Sequence, residues 1–340
     1  SSTEGLKAEG NPHDESRSVS YFGRLGWNWK ETYMVNATVR ADGSSRFASG
    51  NSFGYFPSIS AGWTISNEPF MENTQSWLDF LKIRASWGQV GNQNINNYQY
   101  LAPMKSTNTH YLFGSGYGDA GAASQLANNW GAYPNRLANE NVKWETSEQT
   151  NIGLDARFLN SRLGMNFDFY IKETKDWLVE APILATVGAG APFINGGSVK
   201  NTGVELALTW NDKIGKDFNY NIGVNGAYNK NKVGKIPTED GIIHGSTNQL
   251  YDNSPEFYRA ENGKPIGYFW GYKTAGIFQN TKEISDWIAA GNGILQSAVQ
   301  PGDLQYIDVN RDCVIDDKDK VDLGYGMPDF TFGFNHGFEY

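Results

Sequence analysis

The sequence predicts an all-β chain: an antiparallel up-and-down transmembrane β-barrel sheet of about nine strands, with long insertions on one side. Three observations carry this. Apolar and polar residues alternate in segment after segment. The connections between segments alternate between short and long. Aromatics are abundant, with 11 Trp, 18 Tyr and 19 Phe in 340 residues, yet mean hydropathy is −0.53 and only 19% of residues are charged. Strands with one greasy and one wet face give that combination, because their window-averaged hydropathy stays low.

Taken in order, the first strands cover 18–28, 33–42, 58–66, 81–88 and 144–158. From Arg162 to Lys172, Leu163, Met165, Phe167, Phe169 and Ile171 share one face, against Gly164, Asn166, Asp168 and Tyr170. Val204, Leu206, Leu208 and Trp210 alternate with Glu205, Ala207, Thr209 and Asn211. Phe218, Tyr220, Ile222, Val224 and Tyr228 alternate with Asn219, Asn221, Gly223, Asn225 and Asn229. Phe330, Phe332, Phe334 and Phe338 close the series against Thr331, Gly333, Asn335 and Glu339. A side-chain period of two places each set on a single face of its strand.

Short turns at Trp29–Glu31, Leu159–Ser161 and Asn211–Asp217, with a moderate one at Asn67–Phe80, interleave with insertions at 43–57, 89–143, 173–201 and 229–328. Assigning short turns to one end of the strands and insertions to the other keeps every strand's direction consistent. In an outer-membrane barrel the short turns are periplasmic and the insertions (89–143, 173–201 and 229–328 the longest) are extracellular loops. Trp27, Trp63, Phe158, Trp210 and Tyr220 fall on apolar faces near the short-turn ends, and Trp144 and Tyr228 near the other end, as interfacial girdles require. Glu148 breaks the pattern, sharing a face with Trp144, Ile152 and Leu154. A span needs only about 9–11 residues, so Glu148 is expected above the hydrocarbon.

The polar faces carry mostly Asn, Ser, Thr and Gly, with charges at Arg24, Arg40, Arg84, Glu145, Asp155, Arg157, Asp168 and Glu205 that are expected to face a water-filled lumen. A soluble β-sandwich also alternates, but its outer faces carry many Lys and Glu. The net charge of −9 and scattered cations argue against nucleic acid as partner. One cysteine, Cys313, excludes a disulfide or a Cys-based zinc site within the chain. No run of 18 apolar residues exists, so no helical span is predicted. With no signal peptide at Ser1 and a pattern still running at Tyr340, residues 1–340 read as an internal part of one barrel domain.

Several motifs then carry a family resemblance. Arg40-Ala-Asp-Gly-Ser-Ser-Arg-Phe47, Gly54-Tyr-Phe-Pro-Ser-Ile-Ser-Ala-Gly-Trp63 and Leu81-Lys-Ile-Arg-Ala-Ser-Trp-Gly-Gln-Val-Gly-Asn-Gln-Asn94 resemble the SusC/RagA-type TonB-dependent outer-membrane transporters of Bacteroidota. So do Asn139-Glu-Asn-Val-Lys-Trp-Glu-Thr146, Asn201-Thr-Gly-Val-Glu205, Gly267-Tyr-Phe-Trp-Gly-Tyr-Lys-Thr-Ala-Gly-Ile-Phe278 and Pro301-Gly-Asp303, in the family's order. The resemblance implies the C-terminal portion of a barrel of about 22 strands in the outer membrane of a Gram-negative bacterium, with the N-terminal plug and the last strands absent from this stretch. It also implies active import of a polar nutrient, oligosaccharide or oligopeptide. A SusD-like surface lipoprotein as lid and TonB–ExbB–ExbD, acting through the missing N-terminal part, are the implied partners.

One local motif suggests a cation. Asp308, Asn310, Asp312, Asp316 and Asp319, with the Val314 carbonyl, fall at the ligand positions of an EF-hand-type loop, so Ca²⁺ is expected there as an accessory ion, no cofactor being required. The family shows Gly where this chain has Arg311 and Cys313, and a side chain at a left-handed position costs about 1 kcal/mol. An ion-free acidic turn is the other reading. Gly50-Asn-Ser52-Phe-Gly54 matches the hydrolase elbow, but no helix is predicted after it and the four histidines are scattered, so no enzyme is predicted. Ligand or lid contact is expected from the insertion aromatics Tyr111, Phe113, Tyr117, Trp130, Tyr133, Trp177 and Phe193, and Ser285–Ala290 reads as a helical turn. The alternatives in other classes are an adhesin or passive porin, and a soluble carbohydrate-binding β-domain.

Overall fold

A computed structural model describes residues 15–105, 133–181, 183, 185–296 and 298–340. Nine long strands dominate it: β1 (Ser18–Trp29), β2 (Tyr33–Ser44), β3 (Phe53–Thr64), β4 (Leu78–Asn92), β5 (Glu145–Phe158), β6 (Leu163–Lys175), β7 (Ser198–Ile214), β8 (Phe218–Val233) and β9 (Phe330–Glu339). They hydrogen-bond in sequence order into one sheet that does not close on itself. The family-type antiparallel meander is therefore present. Its strands run further than their alternation alone predicts: β3 starts at Phe53, β4 spans Leu78–Asn92 and β7 reaches Ile214. The ladder continues through Gly- and Asn-rich ends because backbone pairing, not side-chain pattern, decides where a strand stops.

The short connections turn tightly. Lys30 and Glu31 have φ of 52° and 56°, and the Asn28 side chain accepts the Glu31 N–H at 3.0 Å. Gly215 (φ 70°) reverses β7 into β8, a left-handed position that glycine fills without penalty.

The chain divides into two compact units. The first comprises Ser1–Pro69, Lys82–Asn151 and Thr174–Gly196. Here register places Trp27 opposite Val35, Ala37 opposite Ile59, and Tyr33 opposite Trp63. The same face carries Leu25, 72% exposed, and Val39, 56% exposed. The opposite face pairs Arg24 with Thr38, Asn36 with Ser60, and Ser60 with Ser86. This unit's core lies beside the insertions: Phe47, Phe56, Ile95, Val142 and Trp144, with Leu178 and Phe193 packed against it.

The second unit comprises Phe70–Leu81, Ile152–Glu173 and Gly197–Tyr340. Its apolar face runs in rows across β7, β8 and β9: Val204–Tyr228–Phe330, Leu206–Gly226–Phe332, Leu208–Val224–Phe334. Val224 is 47% and Phe332 79% exposed. A sandwich buries such a face against a second sheet. Here the apolar side is open and the Asn-bearing side lies behind it. The insertion after β8 is a folded piece, with a small sheet of Ile242–His244, Tyr258–Glu261, Tyr268–Tyr272 and Lys320–Asp322. It also holds a hairpin (Thr274–Ile277 with Leu304–Tyr306) and α1 (Thr281–Ala289). That helix is longer than the turn expected at Ser285–Ala290, because Asn280 caps it by accepting the Glu283 N–H at 2.9 Å.

Candidate functional site

The polar face of the sheet is the first candidate surface. In the first unit Arg24, Thr38, Ser58, Ser60, Ser86 and Gln149 line a recess of about 400 Å³. Arg24 donates to the Asn36 side chain at 3.2 Å. Arg40 grips Asp42 through Nε at 2.7 Å and reaches Ser20 at 3.3 Å. Arg84 lines a neighbouring recess with Asn36, Lys82 and Asn151. In the second unit Asp155 accepts from Asn166 at 2.8 Å, and the Arg157 guanidinium sits 5.5 Å from the Phe80 ring centre. Asp168 shares its face of β6 with Asn166, and Glu205 lies opposite Ala227 on the Asn-bearing side of β7. The surface thus sets amide and hydroxyl groups between charges of both signs, and all of them can exchange hydrogen bonds with polar molecules.

The apolar face shows how deep such a wall would sit. On β8 its apolar positions run from Phe218 to Tyr228. Ten residue steps at about 3.3 Å, tilted by about 40°, give about 25 Å of height, the thickness of an outer-membrane apolar band. Near the short turns this face carries paired rings: Trp27 on Trp29 (6.4 Å), Tyr33 on Trp63 (6.3 Å) and, in the second unit, Trp77 on Phe158 (6.1 Å). Trp210 Nε1 donates to the Tyr220 hydroxyl at 3.3 Å. Glu68, in the turn after β3, accepts from both the Tyr33 hydroxyl (2.5 Å) and Trp63 Nε1 (3.0 Å).

One sequence expectation, the girdle placement of Trp144, changes, and Glu148 gains a shell of donors. Trp144 is no girdle residue: it is 7% exposed, packed on Phe47 and Phe56, with its indole N–H donated to the Ser52 carbonyl at 3.0 Å. It precedes β5, so strand parity does not govern where its ring points. Glu148 is no bare carboxylate. It accepts from Trp87 Nε1, Gln89 Nε2 and Lys175 Nζ, each at 3.2 Å. Three donors from two flanking strands satisfy it, an arrangement that one strand's alternation cannot reveal.

Of the insertion aromatics, Tyr111, Phe113, Tyr117 and Trp130 lie outside the described residues. Tyr133 pairs with Lys105 in a short strand, Trp177 is half-buried, and Phe193 packs on the first unit's core with Arg136 5.7 Å from its ring centre. Phe193 therefore has structural employment. In the larger insertion Arg259 lies 3.9 Å from the Trp270 ring centre and Lys264 4.7 Å from that of Tyr268. Burial, and then the bond to the Glu261 carboxylate, push the fully buried Tyr268 phenol above its usual pKa range.

The acidic loop 308–319 turns its carboxylates on its own backbone. Asp308 accepts the N–H of Arg311 at 2.5 Å and of Cys313 at 2.6 Å; Asp312 accepts that of Val314 at 2.9 Å. Arg311 (φ 63°) and Cys313 (φ 67°) adopt the left-handed backbone that the motif assigns to glycine. Buried Asp319 accepts from Val309 (2.9 Å) and Asp316 (2.8 Å), and Asp316 caps the next turn by accepting the Lys318 N–H at 2.8 Å. Among the described residues no group of three or more His, Cys, Asp or Glu side chains is gathered as a metal would require. In the hydrolase-like stretch, Ser52 leads directly into β3.

Comparison with known proteins agrees with this geometry. The family described as TonB dependent receptor-like, beta-barrel, matches residues 2–334. TonB-dependent receptor P3 of Formosa agariphila is 31% identical over 328 residues, covering 96% of this chain and 31% of that protein. TonB-dependent receptor SusC of Bacteroides thetaiotaomicron is 30% identical over 327 residues, 95% of this chain and 30% of that one. The chain thus spans about a third of the length of these relatives. Among solved structures, the RagAB peptide importer in its 'open-open' state superposes with a TM-score of 0.72 at 25% identity, covering 96% of this chain and 31% of that one.

Proposed function

The chain belongs to the TonB-dependent receptor-like β-barrel family, and from that premise we propose that it forms part of the barrel wall of a SusC-like importer in the outer membrane. The observation that carries this reading is the division of each strand: rows such as Leu208–Val224–Phe334 on one side, Asn-bearing rows on the other. A wall between lipid and water leaves its apolar face open in this way, where a sandwich would bury it. Oligopeptides are the first cargo to test, since RagAB is a peptide importer and is similar in fold and sequence; oligosaccharides are the second. The Asn- and Ser-lined recess holding Arg24 and Gln149 suits either, offering hydrogen bonds with little fixed charge. A SusD-like lipoprotein meeting the insertions and TonB–ExbB–ExbD as energy source complete the proposal. The protein needs no catalysis of its own for this task.

Deleting the full-length gene should abolish growth on the matching oligomer while free amino acids and monosaccharides still support it. Unchanged growth and uptake of labelled oligopeptides and oligosaccharides would refute the importer.

A further inference from the structure

The apolar face of the second unit ends in a cluster of charge. Above the row Val204–Tyr228–Phe330, the next outward-facing pair is Thr202 with Lys230, and the next is Lys200 with Lys232. The pair between them, Asn201 with Asn231, and the pair beyond, Val199 with Val233, point the other way: Asn231 donates to Asn201 at 2.8 Å, while Val199 and Val233 are buried. All three lysines are exposed. Lys200 and Lys232 face each other directly across an antiparallel ladder, where like charges destabilise the pairing. Among the described residues, none of Lys200, Lys230 and Lys232 takes part in an ion pair. The flanking carboxylates Glu173 and Asp329 already have partners, Asp329 taking the Tyr325 hydroxyl. An anion would relieve a ladder that sets two cations opposite each other, with a third two residues along.

Directly below, the same face is notched. Gly226 stands between Leu206 and Phe332 with no side chain of its own. It leaves a groove of about 320 Å³ lined by Val204, Leu206, Val224, Tyr228, Phe330 and Phe332. The groove is apolar and points where the hydrocarbon would be. The lysines begin at the first outward position beyond Tyr228, the upper end of the roughly 25 Å band. One molecule satisfies both halves: an acyl chain in the groove and a phosphate in the headgroup layer above it.

We propose that Lys200, Lys230 and Lys232, with the groove at Gly226, form a seat for a phosphorylated lipid of the outer leaflet. This rests on the importer reading for the direction of the face. The site lies on the side away from the cargo path, so it serves the barrel's setting in the membrane and not selection of cargo.

The test uses the full-length protein purified in zwitterionic detergent, as wild type, as the triple variant Lys200→Gln/Lys230→Gln/Lys232→Gln, and as Gly226→Leu, which fills the groove and leaves the lysines. Co-purifying lipid is counted by native mass spectrometry, and delipidated protein is titrated with lipid A, with phosphatidylcholine and with inorganic phosphate. The expected result is lipid A retained by wild type, about tenfold or more weaker in the triple variant, weakened also in Gly226→Leu, and not displaced by phosphatidylcholine or inorganic phosphate. Equal retention by wild type and triple variant overturns the proposal. So does displacement by inorganic phosphate alone, which would mean an ion site, or protection of the lysines from acetylation by a protein lid when no lipid is bound. Heat-modifiable migration of the same samples separates the two readings: an uninserted protein sinks the importer, whereas an inserted barrel indifferent to lipid A sinks only the lipid seat.

Discussion

The indole N–H of Trp87 donates to a carboxylate oxygen of Glu148 at 3.2 Å, joining β4 to β5 on the outward side of the sheet. Gln89 and Lys175 complete the acceptor's shell. Glu148→Ala would leave three donors without their acceptor. The expected cost is about 1 kcal/mol, kept low by partial solvent access, and Glu148→Gln should recover part of it. Comparing the temperatures at which the two variants lose heat-modifiable migration checks this; identical values would show the cluster to be idle.

The two faces of β8 make opposite predictions at adjacent positions. Val224 sits in mid-band in the row Leu208–Val224–Phe334, so Val224→Arg should cost about 2–4 kcal/mol and sharply reduce the folded protein in the membrane. Asn225→Lys, one residue on and facing the other way, should leave the yield near wild type. Equal loss from both substitutions would deny the lipid–water division.

Trp144 anchors the insertion end of the first unit against Phe47 and Phe56. Trp144→Ala removes a large buried ring and the hydrogen bond to Ser52, with an expected cost of about 3–5 kcal/mol. Limited proteolysis should then cut within 89–143 much faster, while strands β7 to β9 stay protected. A Cβ at Gly54 or Gly91 would collide with the Phe56 ring, so Gly91→Val should reproduce the phenotype.

Burial works to raise the Asp319 pKa, but N–H groups of Asp316, Val309 and Asn310 outweigh it and hold the carboxyl below its usual 3.8. A folded pKa below the unfolded one means stability that is complete above pH 3.8 and fades as pH falls through the lower, folded value. Protection from hydrogen exchange in 308–319, taken relative to the intrinsic rate at each pH, should therefore fall only below pH 3.8. Asp319→Asn turns an amide N–H₂ toward one of the donors, so it should loosen the loop at neutral pH by about 1–3 kcal/mol and remove the acid step. An acid step that persists in the variant would assign it to another group.

Alternation made the strands legible because it reports which side of a strand is wet, and β6 to β9 show it with few breaks, Gly226 and His336 among them. Strand ends were less legible: Phe53–Pro57 and Gln89–Asn92 mix Gly, Asn and aromatics, and only backbone pairing draws them into the ladder. Trp144 misled because a ring just outside a strand escapes its parity. The three-donor shell of Glu148 and the facing pair Lys200–Lys232 depend on how strands are staggered against one another, which one strand's pattern does not state. The four aromatics between Tyr111 and Trp130 lie outside the described residues, so their part in ligand or lid contact stays a proposal.

The strict pairing of β7 with β8, from Val199–Val233 to Ile214–Phe218 without a bulge, carries a rule about chain length. One residue added between Val224 and Asn225 would turn every later side chain of β8 over, sending Tyr228 into the water path and Asn229 into oil. Spacing within such strands is frozen, whereas the segment between β8 and β9 can grow or shrink as a folded piece. Descendants of this sequence are therefore free to reshape that folded piece without renegotiating the ladder that carries it.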